Sequence, residues 1–272
     1  YPSMIAKDLT KNISPRSRLL LSFLSAIIAL YGLDIGLQQF GWIWFDSIIL
    51  GSPVISLVLT TVLIGGISHS ANIIDGFNGL LLGFSIMALS IFTWVAWQFD
   101  DQLLLLLLIS TIGSLLGLFF LNFPRGGIFL GDSGAYLIGF LMAVFSLMLI
   151  KRHPQISPWF PLLVLIYPIF ETFFSIYRKK LLRGISPGIP DGIHLHMLVY
   201  KRIIPQYFGV KGRNWERNAL TSVVMWIFTI PPLVTALLFW EEQLVMVSGV
   251  IIFCIYYIFF YFQIVRFKIG KK

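Results

Sequence analysis

Eight long apolar runs, nearly free of charge and separated by polar segments, constrain this chain more than any other feature. The cleanest are Gln102 to Leu121, Asn218 to Trp240 and Gln243 to Val265, which hold no charged residue and reach the ~20 residues that a bilayer crossing needs. Leu50 to Gly66, Gly76 to Phe99 and Ala135 to Ile150 read the same way. Leu19 to Leu33 is the shortest and spans only if its helix runs past Asp34 toward Leu37. Trp159 to Tyr177 carries Pro161 and Pro168, which are expected to bend or break it. With 57% hydrophobic and 12% charged residues, far from soluble averages, the chain reads as all-α: a polytopic membrane protein with about eight transmembrane helices in a single domain over residues 1–272. It starts at Tyr1 in a polar, basic segment with no signal-like region, so an N-terminally truncated protein lacking earlier helices is expected.

Charge sets the orientation, because lysine and arginine concentrate in loops that stay cytoplasmic. On one alternating side lie 18 of the 20 basic residues: the first segment, Arg125, the 178–217 loop and the C-terminal tail. Only Lys151 and Arg152 fall on the other side, together with Asp34, Asp46, Asp100, Asp101, Glu241 and Glu242. The net charge of +8 is therefore mainly a topology signal, although a basic cytoplasmic face also suits anionic lipid heads. No basic–aromatic nucleic-acid motif is present, so no nucleic-acid partner is expected.

The same alternation places the polar motifs together on the cytoplasmic side. These are Asp8, the His69 to Gly79 segment with Asn72, Asp75 and Asn78, the Gly126 to Gly134 segment with Asp132, and a later loop with Asp191, His194 and His196. Each has a plain reading by itself. Asp132 or Ser133 can N-cap a helix starting near Ala135, and Asp75-Gly76 and Asn78-Gly79 can be turn residues. His194 and His196 can be two faces of a loop, or half of a zinc site without cysteine partners. Lys179, Lys180, Lys201 and Arg202 can be solvated positive-inside residues. A carboxylate at the mouth of two spanning helices is nevertheless costly unless offset. Glycines let backbone approach a ligand, and a helix N-terminus offers N–H groups to an anion. Jointly, acidic glycine loops facing a histidine and basic loop compose a site for magnesium and a diphosphate.

Asn72-Ile-Ile-Asp-Gly-Phe-Asn-Gly-Leu80 and Phe129-Leu-Gly-Asp-Ser-Gly134 resemble two loops of the polyprenyl-phosphate N-acetylhexosamine-1-phosphate transferases. Pro190-Asp-Gly-Ile-His-Leu-His196 is similar to the histidine loop of the branch that uses N-acetylated aminosugars, and lacks the triple histidine of the peptidoglycan branch. Tyr167 to Thr172 resembles a segment that usually carries aspartate where Glu171 stands. A further departure is Lys7, where the family carries the first acid of a pair, leaving Asp8 alone.

The resemblance implies transfer of N-acetylhexosamine-1-phosphate from a UDP-N-acetylhexosamine to polyprenyl (undecaprenyl) phosphate, with release of UMP. It also implies a bacterial inner-membrane enzyme with a cytoplasmic active site that initiates a cell-envelope glycan such as O-antigen. Mg2+, with Mn2+ as a substitute, would sit on Asp132 and Asp75. Asn72 and Asn78 would contact metal waters or nucleotide, and His194 and His196 would donate hydrogen bonds to phosphate oxygens. Arg183 or Lys201 would add positive charge. The lipid phosphate is already largely dianionic at neutral pH, its second pKa being about 6, so Asp8 is expected to position groups more than to remove a proton.

Two rivals remain at this point: a secondary transporter of an anionic solute, and an inactive homologue. Transporters carry their polar residues on broken helices near the bilayer midplane in repeated halves, whereas here the acids sit at helix ends and no internal repeat is visible. The sequence leaves open which aminosugar and glycan are involved and whether the chain forms a homodimer.

Overall fold

A computed structural model describes residues 15–182, 184, 192–208 and 214–266. Among these residues every regular element is helical: α1 (Pro15–Leu33), α2 (Ile43–Leu50), α3 (Pro53–Ile74), α4 (Leu80–Gln98), α5 (Gln102–Asn122), α6 (Gly131–Arg152), α7 (Phe160–Val164), α8 (Ile166–Tyr177), α9 (Leu195–Leu198), α10 (Ile204–Tyr207), α11 (Asn214–Phe239) and α12 (Gln243–Arg266), with π-helical turns at Arg178–Leu182 and Val199–Ile203. Six of them (α3, α4, α5, α6, α11 and α12) are long and apolar enough to cross a membrane. The chain is thus a multi-pass, all-α membrane protein. The other two expected spans correspond to α1 and to the α7–α8 pair, which is broken in two.

Each departs from its expected bounds for a local reason. Helix α1 ends at Leu33 instead of continuing toward Leu37, because Asp34 takes a left-handed conformation (φ 51°) and Lys151 binds both its carbonyl and its carboxylate. The next stretch runs extended along α3, with Leu37 N–H donating to Thr60 Oγ1 at 2.8 Å and Ser56 Oγ donating to Leu37 O at 2.7 Å. The proline-bearing rod breaks at Leu165, between α7 and α8. Pro161 opens the first piece, at a position where no N–H is needed.

Helix α3 is the hub, packed against α1, α6 and α8. Apolar burial drives no helix association within lipid, so close contact depends on small residues. At the α3/α6 crossing, a Cβ on Gly139 would lie 2.7 Å from both Ala71 Cβ and Ser68 Cα. Gly83 lets α4 lie under the Trp226 ring of α11, 2.4 Å from where a Cβ would be. The span α6 is the most enclosed by protein and α5 the least.

Two helix boundaries move the motifs. Helix α3 continues to Ile74, not to Gly66, so His69 and Asn72 are helical and the loop shrinks to Asp75–Gly79. Helix α6 starts at Gly131, not near Ala135, and its N-cap position is Leu130, with no side-chain cap.

The end of the bundle away from these motifs explains the two exceptional cations. Lys151 pairs with Asp34. Arg152 grips the buried Asp101 through Nε (2.6 Å) and Nη2 (2.9 Å), His153 Nε2 lies 2.8 Å from the same carboxylate, and Leu104 N–H donates to it at 3.2 Å as the N-cap bond of α5. Burial works against charge on Asp101, but these bonds outweigh it and hold its pKa below the usual carboxylate range.

Candidate active site

The opposite end gathers the C-terminus of α3, the N-termini of α4 and α6, and the α5–α6 loop. Asparagines and glycines build its frame. Asn122, at the end of α5, accepts from Gly79 N–H at 2.5 Å and donates to Ile128 O at 2.6 Å, so one buried side chain ties both acidic loops together. Asn78 donates to Pro124 O at 3.0 Å, while its backbone N–H and C=O are taken by Asn218 (2.6 Å) and Ser222 (2.7 Å) of α11. Gly79 (φ 75°) and Gly126 (φ 70°) occupy left-handed conformations that favour glycine. The first lies against the Phe123 ring and the second against the Asn78 amide.

On this frame Asp132, in the first turn of α6, accepts a hydrogen bond from Asn72 Nδ2 at 3.3 Å and forms an ion pair with Arg18 of α1. Asp75 sits at the C-terminal end of α3. Burial, and then the charge of Asp132, push the Asp75 carboxyl up to about 6. A buried carboxyl whose charge is made costlier by a neighbouring acid marks a place where a cation is favourable. Among the described residues no three His, Cys, Asp or Glu side chains converge as ligands. Magnesium, however, is usually held by one or two carboxylates plus water and substrate phosphates, and the Asp75–Asp132 pair with Asn72 fits that donor set.

Beside Asp132 a cavity of about 710 Å³ runs between α1 and α6, with Arg18, Asp132 and Ser133 at its head and Leu21, Ile28 and Phe140 along its walls. It has the chemistry of a slot for an amphiphile.

The histidine loop reaches the acidic loop from the other side. His196 is fully buried, and its Nε2 lies 3.2 Å from where a Cβ on Gly76 would be. Burial lowers its pKa to about 4, with His194 adding to the effect and Glu171 opposing it, so at neutral pH it is an uncharged ring. Its Nδ1 is 3.4 Å from the Tyr167 hydroxyl, and Nε2 has no hydrogen-bond partner among the described residues. His194 stacks parallel to it, with ring centroids 5.4 Å apart, and directs Nδ1 at Glu171 Oε1, 2.8 Å away. Glu171 is thus a buried partner of His194 and pairs with no lysine among the described residues.

The expected site residues therefore divide. Asp75, Asp132 and Asn72 come together, and His194 and His196 abut their loop. Asn78 is engaged in holding the loops. Lys201 is exposed and donates to Gly192 O at 2.7 Å, so it braces the histidine loop. Asp8, Lys7, Arg183 and Asp191 lie outside the described residues. Arg18 and Tyr257 were missed as site residues. Arg18 had counted only as a topology charge, and Tyr257 is one of many aromatics in α12. Nothing in the sequence couples position 18 to 132 or 257 to 171.

Comparison with known proteins covers the acidic half of this site. Residues 5–150 match the family described as glycosyl transferase family 4. A probable undecaprenyl-phosphate N-acetylglucosaminyl 1-phosphate transferase of Bacillus subtilis is 37% identical over 139 residues, 51% of this chain and 38% of that protein. A phospho-N-acetylmuramoyl-pentapeptide-transferase of Lactobacillus johnsonii is 33% identical over 137 residues, 50% of this chain and 41% of that protein. An undecaprenyl-phosphate alpha-N-acetylglucosaminyl 1-phosphate transferase of Escherichia coli is 32% identical over 150 residues, 53% of this chain and 40% of that protein. The chain thus spans about two fifths of the length of these relatives.

Proposed function

Because this chain belongs to glycosyl transferase family 4, we propose that it forms a single integral membrane transferase domain. It moves N-acetylhexosamine-1-phosphate from a UDP-sugar to polyprenyl phosphate at the cytoplasmic face of a bacterial inner membrane, as the first step of a cell-envelope glycan. The observation that carries the reading is the juxtaposition of Asp75 and Asp132 at the N-terminus of α6, with Asn72 bonded to Asp132. Two of the relatives are named as undecaprenyl-phosphate N-acetylglucosaminyl 1-phosphate transferases, which supports both the acceptor and an N-acetylated aminosugar. The apolar cavity headed by Arg18 and Asp132 suits a prenyl chain.

In this reading an oxygen of the lipid phosphate attacks the sugar-linked phosphorus. One P–O bond forms, the P–O bond to the uridine monophosphate breaks, and UMP leaves. Phosphoryl transfer asks mostly for positioning and charge neutralisation. Asp75 and Asp132 would hold Mg2+, or Mn2+, which supplies neutralisation of the diphosphate charge. Asn72 fixes the rotamer of Asp132, and Arg18 offsets its charge. The neutral His196 supports the Asp75–Gly76 turn from below, and His194 is the histidine whose ring is oriented by a carboxylate.

The test is UMP release and lipid-linked sugar formation in membranes given UDP-N-acetylglucosamine, undecaprenyl phosphate and magnesium, with EDTA and Asp132→Asn as controls. Magnesium-dependent release that needs the lipid is expected. Release without lipid, or none in the wild type under any UDP-N-acetylhexosamine, rejects the reading.

A further inference from the structure

Glu171 is a carboxylate in the middle of α8 with 1% of its surface exposed. Such a group costs several kcal/mol unless its oxygens are satisfied. Here both are. Oε1 accepts from His194 Nδ1 at 2.8 Å, Oε2 accepts from the Tyr257 hydroxyl of α12 at 2.8 Å, and Leu195 N–H lies 3.3 Å from each. Three donors from two separate stretches of chain, 194–195 and α12, thus converge on one carboxylate. The bond to Nδ1 requires a proton on that nitrogen, which leaves Nε2 as the ring's other atom for hydrogen bonding. The bond to Leu195 N–H pins the backbone directly after the same histidine. His194 in turn lies face to face with His196, which touches Gly76 next to Asp75.

We propose that Glu171 is a positioning residue for His194, with Tyr257 holding Glu171 in place. Glu171 fixes which ring nitrogen carries the proton and the plane in which the ring meets the acidic loop. The role in catalysis rests on the transferase reading above, but the proton assignment does not. A carboxylate that merely ties α8 to α12 would need no histidine, since Tyr257 and Leu195 N–H already supply donors. No lysine is paired with it among the described residues, so surface-charge compensation does not account for it.

An amide at this position cannot accept from all three donors, since its NH2 must face one of them. Glu171→Gln is therefore expected to lower kcat about 10- to 100-fold, the usual loss when a hydrogen-bonded support of an active-site histidine is removed, with KM for the UDP-sugar changed by no more than about twofold. Tyr257→Phe lowers kcat by a smaller factor. Because Glu171 acts through His194, Glu171→Gln made in a His194→Ala background lowers kcat no further. Nitrogen-15 NMR of histidine-labelled protein, with His194→Ala to assign the signal, should show Nδ1 of His194 protonated in the wild type. Thermal unfolding of each variant corrects the rates for folded protein. Additive losses in the double variant, or a bare Nδ1 on His194, overturn the proposal. If the wild type releases no UMP, the transferase reading fails, and the NMR result alone decides whether Glu171 sets the state of the ring.

Discussion

Replacing Asp132 by asparagine separates a catalytic role from a structural one, because the two predict losses of different size. Asparagine keeps the side-chain shape and the position at the start of α6 but removes the charge. If Asp132 serves mainly to tether α1 to α6 through Arg18, the loss is bounded by the worth of that ion pair. Its side chains are 27% and 52% exposed, and pairs of that kind contribute about 0–1 kcal/mol, a factor of about five at most. If Asp132 holds the cation that neutralises the diphosphate, losing it should lower the rate about 10²-fold or more. The companion variant Arg18→Gln breaks the same ion pair and leaves the carboxylate free. It should cost no more than about fivefold in rate and should not weaken magnesium dependence. Initial rates of UMP release across a magnesium titration, normalised to folded protein, read both effects. A rate above about a tenth of wild type for Asp132→Asn, or an equal fall for Arg18→Gln, would refute the assignment of Asp132 to the metal.

Three further outcomes are expected. Burial and the Asp132 charge push the folded Asp75 carboxyl up to about 6 from its ordinary 3.8, so the folded state binds that proton more tightly; its contribution to stability is complete below 3.8 and is lost as pH rises through 6. Metal-free protein in EDTA should therefore melt lower at pH 7 than at pH 4.5 through this group, and an Asp75→Asn variant that kept the same slope would exclude it. Asp101→Ala removes an α5 N-cap and the grip on Arg152 and His153, costing about 2–3 kcal/mol by denaturation in detergent at neutral pH. Since its folded pKa is depressed, this advantage is present above the ordinary carboxylate value and disappears as pH falls through the folded one; an equal cost at low pH would contradict the pairing. Gly126→Ala strains a left-handed residue and drives its methyl to within 2.9 Å of the Asn78 amide, so it should weaken magnesium dependence along with stability, and normal turnover would show that the Asn78 frame does not position Asp75.

The helical class, the proline break and the clustering of the acidic loops were legible because each is written locally. Uncharged runs of bilayer length leave few alternatives, Pro161 and Pro168 flank the break at Leu165, and alternating sides follow from counting charges. Boundaries were less legible. Asn72 stands among residues that read as a loop, yet α3 carries on through it, because packing of Ala71 and Ser68 against Gly139 outweighs local polarity. Helix α1 stops at Asp34 because of Lys151, 117 residues away. Long-range pairs were invisible for the same reason. Arg18 with Asp132, and Tyr257 with Glu171, join residues whose separation no spacing rule relates, and a single sequence carries no trace of their contact.

Gly139 gives this site an unusual kind of determinant. It lies seven residues after Asp132, about 10 Å along α6, and binds nothing. Yet α3 and α6 touch there backbone to side chain with no clearance: a single added methyl would meet Ser68 Cα and Ala71 Cβ at 2.7 Å and Ile67 O at 2.8 Å. The crossing fixes how closely α3, which carries Asn72 one residue past Ala71, approaches α6, which carries Asp132 two turns from Gly139. A wedge of one carbon at this crossing would push the helices apart and open the 3.3 Å contact between Asn72 and Asp132. The spacing of the helices that carry Asn72 and Asp132 is therefore set by an absence of atoms, at a residue two turns from Asp132 that makes no polar contact of its own.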